Sequence, residues 1–202
     1  MIKRIIFATG NAGKIREIKE IMGDMNIPII SMKEAGIVTD IEENGTTYEE
    51  NATIKAKAVA ALAEEGDLVM ADDSGLEIDY LNKEPGIYSA RYLGEDTSYR
   101  IKNQNLIDRL SGVPDEKRGA RFVCAIAAVL PDGKVLTTRG VIEGRIGYEE
   151  AGQGGFGYDP IFYVPELGKT TAELTEEEKN DVSHRGRALR AMKEELKGME
   201  NA

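Results

Sequence analysis

Two adjacent carboxylates, Asp72 and Asp73, follow the apolar run Leu68-Val69-Met70-Ala71. Like charges side by side are costly unless a cation bridges them or one holds a proton. Strand alternation aims the two side chains differently. One can then ligate a metal while the other accepts a proton. The competing reading is a solvated turn, because Asp-Asp-Ser-Gly is good turn chemistry.

A second group, Thr9-Gly10-Asn11-Ala12-Gly13-Lys14, lies where a strand feeds a helix. Backbone N–H groups and the helix dipole at such a point favour an anion. Lys14 adds a mobile cation, and Thr9 and Asn11 add hydrogen-bonding side chains. A P-loop needs four residues between its glycines and a Ser or Thr after the Lys. Here two residues separate Gly10 from Gly13, and Ile15 follows Lys14. The alternative is a glycine turn with a solvated lysine.

Gly152-Gln-Gly154-Gly-Phe156-Gly157 matches the dinucleotide fingerprint letter for letter, but it runs into Tyr158-Asp159-Pro160 and a β-like stretch. The fingerprint must open a helix, so that reading fails. A loop that stacks Phe156 on a base, with Asp159 accepting from base N–H groups, fits better. The alternative is a hairpin-end loop with Phe156 in the core.

The stretch 40–50 carries five acids and no base. It offers Glu42 and Glu43 as further metal ligands, or it is a solvated face. Asn51 and Lys55 are four apart and share one helix face; Lys55 there serves a phosphate or is an ordinary surface lysine. The only His, His184, stands beside Arg185 at a helix start, downstream of Lys179 and Ser183. Cations are disfavoured there unless an electron-rich partner faces them. That partner is a ligand carbonyl or phosphate; otherwise Ser183 caps a helix with two exposed cations. Cys124, mid-strand and apolar, belongs to the core.

Composition bounds the chemistry. In 202 residues, 26 Lys and Arg against 36 Asp and Glu leave a net charge of −10. A long nucleic-acid partner needs clustered cations and is excluded, whereas a small phosphate ligand needs only a few. One Cys and one His rule out a Cys₂His₂ or Cys₄ zinc site and an intramolecular disulfide. Any metal site is mostly carboxylate and suits Mg²⁺ or Mn²⁺. A hydrophobic content of 41% supports a core of normal size. No apolar run approaches the roughly 20 residues that span a bilayer, so no membrane partner is expected. The first residues read as a buried strand rather than a signal peptide, and the cytoplasm is the expected compartment.

The elements that must position these residues follow from periodicity. Strands are expected at 5–8, 27–30, 68–71, 122–130, 134–142 and 161–164. Helices are expected at 14–22, 48–65, 98–110 and 183–197. Strand, helix and strand over the first 30 or so residues form a βαβ-sized unit. The hairpin around Pro131-Asp132-Gly133 implies a partly antiparallel sheet, hence a mixed α/β or α+β fold in one domain over 1–202.

Taken together, in order and over nearly the whole chain, these segments resemble the inosine/xanthosine triphosphate pyrophosphatase family. The resemblance rests on Thr9-Gly-Asn-x-x-Lys14, the Glu43 region, Glu50-Asn51-Ala-x-x-Lys55 and Ala71-Asp72-Asp73-Ser74-Gly75-Leu76. It continues through Pro85-Gly86-Ile-Tyr88-Ser89-Ala-Arg91, Gly154-Gly155-Phe156-Gly157-Tyr158-Asp159-Pro160 and Lys179-Asn180-x-x-Ser183-His184-Arg185.

The resemblance implies hydrolysis of the α–β phosphoanhydride of ITP, dITP and XTP, with Mg²⁺ as the usual ion and Mn²⁺ as a substitute. It implies Glu43, Asp72 and Asp73 as metal carboxylates and Asp73 as the general base. Thr9, Gly10, Asn11, Ala12, Gly13 and Ser74 would contact the nucleotide, with Lys14 and Lys55 toward phosphate. Phe156, Gly157, Tyr158, Asp159, Lys179, His184 and Arg185 would hold the base. It also implies an elongated, twisted mixed sheet with flanking helices, two lobes with a cleft between them, and a homodimer.

Two other classes remain to be separated. A pyrophosphatase of the related septum-formation family is disfavoured by the Ser183-His184-Arg185 and Phe156-to-Pro160 segments. A nucleotide sensor or RNA-binding module is disfavoured by the acidic site and the charge balance.

Overall fold

The structure is a computed structural model and describes residues 2–200; Met1, Asn201 and Ala202, at the ends of the expected domain, lie outside the described residues. Its first strand, β1 (Arg4–Phe7), is followed by helix α1 (Ala12–Met22) and strand β2 (Ile29–Ser31). The helix returns the chain, so β1 and β2 pair in parallel, with Ile5 opposite Ile29. Helix α2 (Tyr48–Ala60) then leads to β3 (Asp67–Ile78), which pairs in parallel with the other edge of β1. Helix α3 (Tyr99–Arg109) and strands β4 (Gly119–Val129) and β5 (Val135–Ile146) follow. Strands β6 (Phe162–Val164) and β7 (Lys169–Thr170) extend the sheet in antiparallel register, and helices α4 (Glu176–Val182) and α5 (His184–Glu200) end the described chain. The strand order is β2-β1-β3-β4-β5-β6-β7, a mixed sheet, as the alternation of elements in the sequence predicts.

Some expected boundaries moved for physical reasons. Helix α2 stops at Ala60, not near Glu65. The Asp67 carboxylate accepts from Glu64 N–H at 3.0 Å, and Asp67 N–H donates back to the Glu64 carbonyl, which closes a turn. Leu62, expected on the apolar stripe, is consequently 55% exposed. Strand β3 does not end at Ala71 but runs on through Asp72, Asp73, Ser74 and Gly75, so the solvated-turn reading is wrong. Finally, α4 has no counterpart among the expected helices: seven residues beginning with three glutamates show no apolar period, and a Thr175–Glu178 capping box starts the helix. Ser183 accordingly closes α4, and α5 begins at His184.

The chain forms two compact units. The first comprises residues up to Asp73, Cys124–Gly140 and the chain from His184 onward. Its core packs Ile5, Phe7, Leu68 and Met70 of the parallel strands against Ile18 and Met22 of α1 and Leu189 and Met192 of α5. Cys124 is buried in this core. The second unit comprises Ser74–Val123 and Val141–Ser183. Leu76, Ile78, Phe122, Ile142 and Phe162 form its core with Leu106 and Leu110 from α3 and its C-terminal end. Among the described residues, no helix is long and apolar enough to cross a membrane.

Candidate active site

In the first unit, β3 carries Asp72 and Asp73 through buried sheet, 1% and 6% exposed. The strand's alternation gives the two carboxylates different partners. Asp72 meets Lys14 Nζ at 2.8 Å and Arg185 Nη2 at 3.3 Å. Arg185 in turn is held by Glu17 of α1 at 2.6 Å. Asp73 accepts from Asn51 Nδ2 at 3.2 Å, and Lys55 Nζ lies 3.8 Å from it. The same Lys55 ammonium sits 3.2 Å from Glu43.

These surroundings divide the pair electrostatically. Burial opposes ionisation of Asp72, but the Lys14, Arg185 and Lys55 charges outweigh it and hold the carboxyl far below the usual range. Burial dominates at Asp73, the negative charges of Glu43 and Asp72 add to it, and the group is pushed up to about 6. Lys55 and the Asn51 hydrogen bond only partly offset that rise. Arg185 is raised despite burial, by Asp72 and Glu17. A buried carboxylate that takes up and releases its proton near neutrality can act as a base.

Local sequence explains this placement. Asn11 caps α1, its Oδ1 accepting from Gly13 and Lys14 N–H at 2.9 and 3.2 Å. Thr9 Oγ1 accepts from Asn11 N–H at 3.1 Å. The helix therefore starts at Ala12, two residues before the expected Lys14, and Lys14 extends from its first turn to Asp72. Thr47 caps α2, and its first two turns bring Asn51 and Lys55 to Asp73 on one face, as their spacing predicts. Asn51 Oδ1 also accepts from Gly45 N–H at 2.9 Å. A Cβ at Gly45 would lie 2.7 Å from that oxygen, so glycine is needed to bring the acidic stretch, and Glu43 with it, onto α2. Glu42 remains exposed.

Among the described residues, no three His, Cys, Asp or Glu side chains form a ready-made metal cage. The donor set nonetheless fits a hard cation. Glu43 and Asp73 already share a positive charge, the Lys55 ammonium, and Mg²⁺ is commonly held by one or two carboxylates plus substrate phosphates.

In the second unit, the glycine-rich loop is ordered by Asp159, which is 3% exposed. Its Oδ2 accepts from Phe156 N–H and from Lys179 Nζ, both at 2.8 Å. Its Oδ1 accepts from Thr171 Oγ1 at 2.8 Å. Both carboxylate oxygens are thus engaged within the protein. Lys179 Nζ lies 4.6 Å from the Phe156 ring centroid, and Phe156 is half-buried rather than a core residue. Gly155, at φ +67°, has no room for a Cβ against the Asp159 carboxylate. Gly157 stands at φ +68°, and its carbonyl accepts from Asn103 Nδ2 at 3.3 Å. Tyr158 is buried, with its hydroxyl donating to the Ser89 carbonyl at 2.6 Å. Ser74 opens this unit's share of β3 and is half-buried.

His184 and Arg185, in the first unit, are 7% and 2% exposed. That overturns the reading of two exposed cations behind a Ser cap. Glu17 and Thr171 stand outside the sequence motifs. Glu17 lies one turn beyond Lys14, a spacing that places both on one face of α1; Thr171 carried no such signal.

The Ham1 family model matches residues 5–195, a span that includes every candidate site residue named above. The chain is 50% identical over 202 residues to a dITP/XTP pyrophosphatase of Clostridium perfringens, covering 98% of this chain and 99% of that protein. It is 46% identical over 192 residues to a dITP/XTP pyrophosphatase of Bacillus subtilis, covering 95% and 96%. The solved structure of the Staphylococcus aureus Ham1 protein matches with a TM-score of 0.86 at 43% identity, covering 98% of this chain and all of that one. Motifs, fold and full-length similarity agree, and the chain belongs to the Ham1 family.

Proposed function

We propose that the chain hydrolyses non-canonical purine nucleoside triphosphates (ITP, dITP and XTP) to the nucleoside monophosphate and pyrophosphate, in one catalytic domain spanning the chain. The observation that carries the proposal is the divided pair in β3: Lys14 and Arg185 close on Asp72, whereas Asp73 has Asn51 and one lysine that it shares with Glu43. Relatives that share the sequence over nearly its full length bear the name dITP/XTP pyrophosphatase.

Asp73 is the general base. It takes a proton from water as the water oxygen bonds to the α-phosphorus and the α–β anhydride bond breaks, releasing pyrophosphate. Such a base contributes about 10²–10⁴-fold. Lys14 and Lys55 supply positive charge toward the phosphates, with Thr9, Gly10, Asn11, Ala12, Gly13 and Ser74 as further nucleotide contacts. A divalent cation, Mg²⁺ with Mn²⁺ as substitute, would be held by Glu43, Asp72 and Asp73 and would offset charge on the phosphate oxygens. Positioning of water and phosphate supplies much of the rest.

Phe156 stacks on the purine, and Gly157, Tyr158 and Asp159 shape the loop that presents it. Lys179, His184 and Arg185 supply donors to the base. A 6-oxo group accepts from such donors; the amino group of adenine leaves them unpaired, which can discriminate by roughly 10⁴-fold. The net charge of −10 supports a free nucleotide rather than nucleic acid as partner. The enzyme is proposed to act as a homodimer in the cytoplasm.

A panel of purine triphosphates with Mg²⁺ tests the function. ITP and XTP should release pyrophosphate far faster than ATP or GTP. Orthophosphate as the product, or ITP bound and recovered intact, would overturn the proposal.

A further inference from the structure

The glycine-rich loop is clamped by residues 170–172, which open a Thr170–Glu173 capping box. Thr170 Oγ1 donates to the Ala151 carbonyl at 2.7 Å, and Gly154 N–H donates to the Ala172 carbonyl at 2.9 Å. Gly152, at φ +91°, packs so closely on the Ala172 backbone that a Cβ would collide with it. Between these ties stands Thr171, 2% exposed. Its Oγ1 lies 2.8 Å from Asp159 Oδ1 and 3.2 Å from the Asp159 carbonyl. The hydroxyl has one proton, and the shorter contact to a carboxylate takes it.

That bond fixes the rotation of the Asp159 carboxylate. The opposite oxygen then holds the Phe156 backbone N–H and the Lys179 ammonium, and that ammonium lies over the Phe156 ring, 4.6 Å from its centroid. With Thr171 buried, bulk water cannot replace its hydroxyl. We propose that Thr171 is a positioning residue for base recognition, acting through Asp159 on Phe156 and Lys179. The inference rests on the base-holding roles proposed for those two residues.

Thr171→Val in the full chain keeps the side-chain shape and removes the hydroxyl; Thr171→Ser keeps the hydroxyl. Loss of one hydrogen bond to a charged group should raise KM for ITP about five- to tenfold, with kcat within twofold. The Ki of inorganic tripolyphosphate, which has no base, should stay at the wild-type value. Exchange of the Phe156 backbone N–H with solvent should quicken in Thr171→Val, and Thr171→Ser should restore both KM and exchange. Wild-type KM and wild-type Phe156 exchange in Thr171→Val would overturn the inference. So would an equal weakening of tripolyphosphate, which marks a general structural defect. If the wild-type protein fails to hydrolyse ITP, the substrate reading falls, and Phe156 exchange still decides whether Thr171 holds the loop.

Discussion

Asp72 and Asp73 are consecutive residues of one strand, and their surroundings drive their protonation in opposite directions. The two lose similar amounts of solvent, so burial alone does not separate them. Lys14 and Arg185 close on Asp72, whereas Asp73 has one lysine at 3.8 Å, shared with Glu43. Two carboxylates so divided carry different assignments, one a fixed charge and the other a proton acceptor.

The division predicts the acid limb of the pH profile. Asp73 must be ionised to accept a proton, so kcat/KM for ITP should fall as pH drops through about 6, with unit slope, because kcat/KM reports the free enzyme. Asp72 is ionised throughout that range and adds no second step. Steady-state rates between pH 5 and 8 measure the limb; a flat profile across pH 6 would remove Asp73 from the base role.

The same shift predicts a trade between activity and stability. Asp73 rises from 3.8 to about 6 on folding. Below 3.8 both folded and unfolded forms are protonated, so nothing is lost. Between 3.8 and 6 the unfolded chain releases its proton first and stability declines; above 6 the full penalty is present. Asp73→Asn removes a charge that folding disfavours. It should stabilise the protein by on the order of 1–3 kcal/mol at pH 7.5, with no gain at pH 3.5, while turnover is abolished and ITP still binds. Thermal melts at the two pH values check it.

Much of this arrangement was legible in the sequence. The spacing of Asn51 and Lys55 put both on one helix face, and both reach Asp73. The Thr9-to-Lys14 turn was placed correctly at a helix start. At the Asp72-Asp73 pair local propensity favours a turn in Asp-Asp-Ser-Gly, and only distant cations make a strand tolerable there. Arg185 lies 113 positions from Asp72, and no local pattern announces such a partner. The Thr171–Asp159 bond and helix α4 are not legible for a similar reason: a single hydroxyl and a capped polar turn leave no periodic trace.

The Arg185 link also carries a stability prediction. Arg185 is 2% exposed and joins Asp72 to Glu17. Arg185→Ala leaves two carboxylates in the interior with less compensation. Removing one member of a buried ion pair costs roughly 3–5 kcal/mol. The urea midpoint should fall by the corresponding amount at unchanged slope; a wild-type midpoint would mean the network adds little.

The central claim is attack of water on the α-phosphorus with pyrophosphate leaving, and hydrolysis of ITP in ¹⁸O-labelled water with Mg²⁺ tests it most directly. The account predicts one labelled oxygen in inosine monophosphate and none in pyrophosphate. Label in the pyrophosphate, or orthophosphate in place of pyrophosphate, would contradict it.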